Sequence, residues 1–377
     1  MRRGASLWIA ILLHLALLGS VAFVLRDRAI KGQNDFAPLY AGAKLVGSPD
    51  LYSRQANLAF IDQLVGIKMG IVYIRPPFYA ALLRPLALLP YRAAYVLFTA
   101  ATLSAAVWFV ARFRKDCPEL TFYAAVSVPL VLAICGGQDT PLLLLFVGAA
   151  VLLARRKRDF GAGLVLSLCA IKVHLFVFLP LALIAKRRWR ILYGGICGGA
   201  GLAVLGLIVA GPDSLRRYVD ALRQPEINPA VMLMPNLHGM TAALGAAQSL
   251  EWALIAAVTL SCLWIAWTGE SFEFVLAACL ICGLLTSFHS GMADAVVLLP
   301  AFALIRDSAR PLRITMALIL TPIPYLLMLA DPPLNTALPL CLLLSLALFC
   351  VPRRRANLVT VEGPPLATVP QTTPSTG

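Results

Sequence analysis

Charge is scarce in this sequence, and negative charge is scarcest. Asp, Glu, Lys and Arg make up 13% of the 377 residues, about half their share in a soluble domain. Eighteen residues are acidic, 32 are Lys or Arg, and four are His. Segments of about ten residues alternating apolar with polar, which a transmembrane barrel requires, are missing. HExxH, paired Cys/His ligand spacings, a DxD pair and the glycine loops of Walker and Rossmann sites are missing too, so neither a metal nor a cofactor is expected. Nine Cys are scattered without a disulfide framework. Cys279 and Cys282 form a CxxC inside an apolar run with no second pair, and read as small hydrophobes.

What is abundant is apolar: 60% of the chain is hydrophobic. A soluble core cannot absorb that excess, whereas a bilayer can. Repeated apolar runs of about 20 residues read as helices that satisfy their own backbone hydrogen bonds in lipid. The net charge of +14 is gathered in short clusters between these runs: Arg2-Arg3, Arg155-Arg156-Lys157-Arg158, Lys186-Arg187-Arg188 with Arg190, and Arg353-Arg354-Arg355. Such clusters mark cytoplasmic loops rather than a nucleic-acid surface. The expected fold class is an all-α polytopic integral membrane protein in one domain, residues 1–355. A Pro/Thr-rich cytoplasmic tail over residues 356–377 is expected to be disordered.

The first apolar run, Ser6 to Leu25, lacks a small-x-small cleavage site before Arg26 and reads as an uncleaved helix. The polar stretch from Arg26 to Arg75 is too long for a plain connector. It reads as an extracytoplasmic loop with helices on the membrane surface, such as Ala56 to Val72. Two hairpins are expected, turning at Gly136-Gly137-Gln138-Asp139 and near Lys172-Val173-His174. Their arms are short for full spans, and short or broken helices line cavities. A second outer loop runs from Gly211 to about Ser249. Later spans are expected near Leu250–Trp267, Phe272–Phe288, Ala293–Ile305, Ile314–Ala330 and Leu334–Val351. Roughly ten to thirteen spans result, depending on whether the Pro76–Leu89 piece crosses the bilayer or is re-entrant.

An ionisable group in or near a bilayer costs several kcal/mol, so its presence points to function. The expected orientation gathers such groups along one membrane edge. They are Asp35, Arg75, Gln138 and Asp139, Lys172 and His174, Asn236 and His238, and His289 with Asp294. Each also has a structural reading. Asp35 suits a helix cap, Lys172 a snorkelling cation and His174 an interhelical polar group. Gln138-Asp139, His238, His289 and Asp294 suit ordinary loops and turns. Their convergence on one face is the stronger signal. A carboxylate among cations and histidines suits proton abstraction beside an anionic group.

At these residues the chain resembles glycosyltransferase family 87, whose members are GT-C fold enzymes related to polyprenyl-phosphate-mannose-dependent mannosyltransferases. The resemblance rests on NDFAPLYAGAKLVGSPDLY at residues 34–52, RPPFYAALLRPLALLPYRAAY at 75–95 and the stretch from GGQDT to RRWR at 136–190. It continues in PNLHG at 235–239 and TSFHSGMADAVVLLPAFAL at 286–304. Lys172 is kept where the family often has Lys, a small residue and Pro, but Val173-His174 follows it here. Phe288 precedes His289 where Pro is common.

The resemblance implies a GT-C-like bundle with Asp35 as catalytic base in the first outer loop. It implies transfer of a hexose, mannose first, from a polyprenyl-phosphate sugar to a glycolipid or polysaccharide hydroxyl at the extracytoplasmic face of the inner (plasma) membrane. Donor and acceptor contacts fall to Arg75, Gln138, Asp139, Lys172, His174, Asn236, His238, His289 and Asp294, with membrane lipids as neighbours, no nucleic acid and no metal. Three other readings compete. A secondary transporter or lipid flippase predicts inverted repeats and charges at the midplane. A glycan polymerase or ligase predicts a long outer loop late in the chain. A scaffold subunit predicts that loss of Asp35 is harmless.

Overall fold

The computed structural model describes residues 2–224 and 230–351, and the expected disordered tail lies outside them. Every regular element among the described residues is helical. The chain opens with a helix longer than the expected Ser6–Leu25, α1 (Arg2–Lys31), followed by α2 (Phe36–Leu45) and α3 (Arg54–Val65). The surface helix foreseen up to Val72 stops at Gly66, which takes the left-handed conformation and closes the helix. The helices α4 (Pro77–Leu83) and α5 (Tyr91–Phe113) come next, and a 3-10 turn over Arg84–Leu88 extends α4. Helix α4 and that turn together reach only about 20 Å, short of a hydrocarbon core of about 30 Å.

The first expected hairpin is present but its rising arm is broken. Helices α6 (Leu120–Ala125) and α7 (Val128–Cys135) are separate, and Ser127 Oγ accepts from Leu130 N to start the second. After the glycine turn comes α8 (Pro141–Arg155). The second expected turn is a kink rather than a loop. Helix α9 (Asp159–Ser167) runs into a 3-10 stretch, Leu168–Phe176, and only Lys172 leaves helical geometry, at φ −134° and ψ 62°. Helices α10 (Leu179–Ala185), α11 (Trp189–Ala210), α12 (Ser214–Leu222) and α13 (Leu237–Ala243) follow. The last third holds α14 (Gln248–Thr268), α15 (Phe272–Thr286), α16 (Leu298–Leu304), α17 (Arg310–Ile319), α18 (Ile323–Leu327) and α19 (Ala337–Cys350). The single span expected over Ile314–Ala330 is therefore split in two. Pro322 and Pro324 each lack the N–H that a continuous helix would need there.

Four stretches among the described residues are long and apolar enough to cross a membrane: Tyr91–Phe113, Asp159–Phe176, Trp189–Ala210 and Gln248–Thr268. Their outward faces carry large apolar side chains, among them Val96 and Val107 on α5, Val204 and Ile208 on α11, and Leu260 and Trp267 on α14. Water would not tolerate so much continuous apolar surface, and lipid welcomes it. Helices α9 and α11 pack almost backbone to backbone. A Cβ on Gly163 would overlap Ile191 O, and one on Gly194 would overlap Phe160 O. Gly194 and Gly198 thus serve helix packing, and Gly199 faces open space. Cys279 and Cys282 are buried in α15, with Cys262 Sγ 3.7 Å from Cys279 Sγ.

Helix α8 has a polar network at each end. It begins beside Asp139 and ends at Arg155, about 22 Å away along its axis. At the Arg155 end, the guanidinium bridges Asp116 and Glu273 at 2.6 Å each, Arg306 joins Asp116 at 3.1 Å, and Arg313 joins Glu119 at 3.0 Å. The Asp139 end holds Asp35, Arg75, Gln138, Lys172 and Asp294.

Candidate active site

Asn34 and Asp35 divide two jobs between them. Asn34 Oδ1 accepts from Phe36 N at 3.2 Å, and its amide donates to Tyr95 OH at 2.9 Å and Cys135 O at 3.2 Å. It therefore performs the local turn chemistry that a helix start requires. Asp35 stands at the N-cap of α2, yet its side chain makes no capping hydrogen bond. The capping reading of Asp35 fails, and its carboxylate faces elsewhere.

It faces the turn between α7 and α8. Asp35 N donates to Gly136 O at 2.9 Å, which docks the two segments backbone to backbone. Gly137 sits at φ +63°, and a Cβ there would lie 2.5 Å from Asn34 Oδ1. Only glycine fits that conformation and that approach. The next residue, Gln138, donates its amide to Asp35 Oδ2. Its other end, Oε1, accepts from Lys172 Nζ at 3.2 Å and Thr140 Oγ1 at 3.2 Å. Two donors on Oε1 leave only the amide nitrogen to face Asp35.

Around this bridge lies a chain of buried ion pairs. Arg75 holds Asp139 in a fork, Nε to Oδ2 at 2.7 Å and Nη2 to Oδ1 at 3.2 Å. Lys172 Nζ pairs with Asp294 Oδ1 and lies 3.4 Å from Asp139 Oδ1. It also donates to Thr140 Oγ1 at 3.0 Å. Asp294 is fixed from behind by Gly291 N, which donates to its Oδ2 at 2.9 Å. The kink at Lys172 carries the ammonium into this cluster from a helix otherwise built of apolar residues.

The charges do not cancel. Asp35, Asp139 and Asp294 supply three negative charges, and Arg75 and Lys172 supply two positive ones. Burial pushes the Asp35 carboxyl up from its ordinary value, while Lys172, Arg75 and the Gln138 amide pull it back only in part. Burial alone would also raise Asp139, but Arg75 and Lys172 outweigh it and hold that carboxyl low. Asp139 is therefore a fixed structural anion, and Asp35 is the carboxylate whose proton affinity is lifted. Burial, helped by Arg75, pushes His289 down to about 4, so its ring is neutral at pH 7.

A cavity of about 500 Å³ opens onto the cluster. Asp35, Arg75, Gln138, Lys172, His289 and Asp294 all line it. Its other walls are largely apolar, including Leu25, Leu39, Ile71, Val72, Leu132 and Met292. The remaining sequence candidates stand apart from its wall. Asp139 lies behind Arg75. His174 packs edge-on to Phe288 and His289 at ring distances of 5.8 and 6.3 Å, and its Nε2 is buried without a hydrogen-bond partner among the described residues. Asn236 caps α13 and ties it to the 287–290 turn, donating to Ser287 O at 2.8 Å and Ser290 Oγ at 2.9 Å. His238 meets Glu251 at 3.0 Å.

Two cavity-network residues had no signal in the sequence beyond their neighbours. Thr140 follows the Gln138-Asp139 pair and links it to Asp294 at 3.3 Å. Arg54 also lines the cavity. Among the described residues, no group of three or more His, Cys, Asp or Glu is arranged to hold a metal ion.

A model of glycosyltransferase family 87 matches residues 73–291, more than half of the chain. The chain belongs to glycosyltransferase family 87. The match takes in Arg75, Gln138, Asp139 and Lys172. Asp35 precedes it and Asp294 follows it, so the family 87 segment supplies the cations and the amide bridge while two of the carboxylates come from flanking segments. No curated protein and no solved structure matches the chain.

Proposed function

We propose that this family 87 glycosyltransferase moves a hexose, mannose first, from a polyprenyl-phosphate sugar to a hydroxyl of a glycolipid or polysaccharide. The reaction takes place at the extracytoplasmic edge of the inner membrane, where the lipid tail of the donor stays in the bilayer. The observation that carries this reading is Asp35. It is relieved of capping, aimed at the cavity and held by Gln138.

In the proposed step Asp35 takes the proton of the acceptor hydroxyl as its oxygen bonds to the anomeric carbon. The bond from that carbon to the phosphate oxygen breaks, and its electron pair leaves on the phosphate. A single displacement of this kind inverts the anomeric centre. Burial raises the proton affinity of Asp35 above that of a free aspartate, which makes its ionised form a better base. Cationic side chains of the protein, rather than a bound metal, offset the phosphate charge in this reading. The apolar cavity walls suit the first isoprene units of a lipid donor.

The test is sugar transfer by the purified chain in nanodiscs, with radiolabelled polyprenyl-phosphate mannose and a membrane-lipid acceptor extract. Wild type is expected to transfer, and Asp35→Asn to lose several orders of magnitude. Equal transfer by both would move the base to another residue. No transfer by wild type with any polyprenyl-phosphate sugar would overturn the reading.

A further inference from the structure

Arg75 and Lys172 are poor partners for a phosphate. Arg75 commits Nε and Nη2 to Asp139. Lys172 spends its three N–H donors among Asp294, Thr140 and Gln138, with Asp139 also within 3.4 Å. The cluster they belong to already sets three carboxyls, Asp35, Asp139 and Asp294, against these two cations. A donor phosphodiester adds another, and its leaving group carries one more as the sugar departs. An anion entering this cavity needs a cation that is not already spent.

Three Lys or Arg residues line the cavity: Arg54, Arg75 and Lys172. The Arg54 side chain makes no ion pair or hydrogen bond among the described residues. It is half-buried, at the start of α3, where Ser53 Oγ accepts from Ala56 N and holds the turn in place. The same cavity wall carries the apolar residues Ile71, Val72 and Leu25 of α1. An arginine on the wall of a largely apolar cavity matches the charged head of a lipid whose tail lies along those walls. Its planar fork can take two phosphate oxygens at once.

We infer that Arg54 is the residue that holds the lipid-linked phosphate of the donor, and of the polyprenyl phosphate product, in this cavity. The inference rests on the proposed transferase reading and gives its phosphate contact to Arg54 rather than to Arg75 and Lys172. Those two instead fix Asp139, Asp294 and Gln138, and through Gln138 the base.

The experiment titrates polyprenyl monophosphate, without sugar, into the full chain in phosphatidylcholine nanodiscs and reads bound lipid by native mass spectrometry. Wild type, Arg54→Gln, Arg54→Lys and Asp35→Asn are compared, and phosphatidylglycerol is added as competitor. Arg54→Gln is expected to weaken binding roughly tenfold or more, the loss of one charge-assisted pair. Arg54→Lys should recover part of the affinity, and Asp35→Asn should not weaken it. Wild-type affinity in Arg54→Gln would overturn the assignment and leave the transferase reading standing. Equal competition by phosphatidylglycerol would make Arg54 a general headgroup contact and overturn it as a donor residue. No binding of polyprenyl monophosphate by wild type would overturn both. Arg54 holds no partner whose loss would unfold the chain, so Arg54→Gln should keep the wild-type melting temperature.

Discussion

Gln138 donates its amide to Asp35, a residue 103 positions earlier in the chain. Lys172 and Thr140 fix the direction of that amide by donating to its oxygen. A hydrogen bond to the charged form of a carboxylate favours that form, so Gln138 lowers the proton affinity that burial raises. Replacing Gln138 by Leu removes that restraint. The Asp35 carboxyl should then hold its proton to higher pH, and a protonated base is inactive. The acid limb of the kcat/KM profile should accordingly move to higher pH in Gln138→Leu, with the alkaline side unchanged. A limb that stays in place would disconnect Gln138 from the base.

The buried pair of Lys172 and Asp294 carries a different expectation. Removing one partner of a buried ion pair strands the other and costs about 3–5 kcal/mol. Asp294→Ala should therefore lower the thermal midpoint sharply. Lys172 would keep only one carboxylate, Asp139, which Arg75 already claims. Joint replacement, Lys172→Met with Asp294→Leu, should recover much of the stability while activity stays lost, because Gln138 loses its anchor. Melting curves of the two variants beside a transfer assay separate these outcomes.

Gly137 is a tight point of the site, where two turns meet. An added Cβ meets Asn34 Oδ1, and the positive φ penalises any L side chain by about 1–2 kcal/mol. Gly137→Ala should displace Gln138 from Asp35 and reduce kcat more than it reduces stability. Unchanged kcat in a folded Gly137→Ala protein would show that the docking of these two turns is dispensable.

His238 should matter little to the reaction. It is paired with Glu251 on the start of α14 and stands away from the cavity wall. Transfer by His238→Ala is expected within a factor of about two of wild type. A loss of orders of magnitude would place His238 in the site after all.

Much of this was legible in the sequence, for physical reasons that also mark its limits. A long apolar run in a chain this poor in charge has few options besides a helix. Polar groups that interrupt such runs are costly, which is why Asp35, Gln138, Lys172 and Asp294 stand out. Their partnerships were not legible. Nothing in the spacing says that Arg75 spends its fork on Asp139, or that Lys172 reaches Asp294 rather than a phosphate, because those distances depend on how broken helices stack. Helix breaks were only partly readable. The break at Lys172 was expected from the short apolar arms on either side of it, whereas the one between α17 and α18 was missed although Pro322 and Pro324 mark it. Asn236 and His238 carry the same residue-type signal as the cavity residues, yet Asn236 caps α13 and His238 pairs with Glu251. Arg54 carried no signal at all, since an arginine in an outer loop is unremarkable until its neighbours are known.

The order in which the chain is made gives the buried cluster a further consequence. Asp35, Arg75, Asp139 and Lys172 all emerge from the ribosome well before Asp294. Until the last third of the chain is inserted, Lys172 shares one carboxylate with Arg75 in an environment that tolerates unpaired charge badly. The site therefore completes itself late, when Asp294 arrives. A chain that stops short of it leaves two buried cations to share one carboxylate.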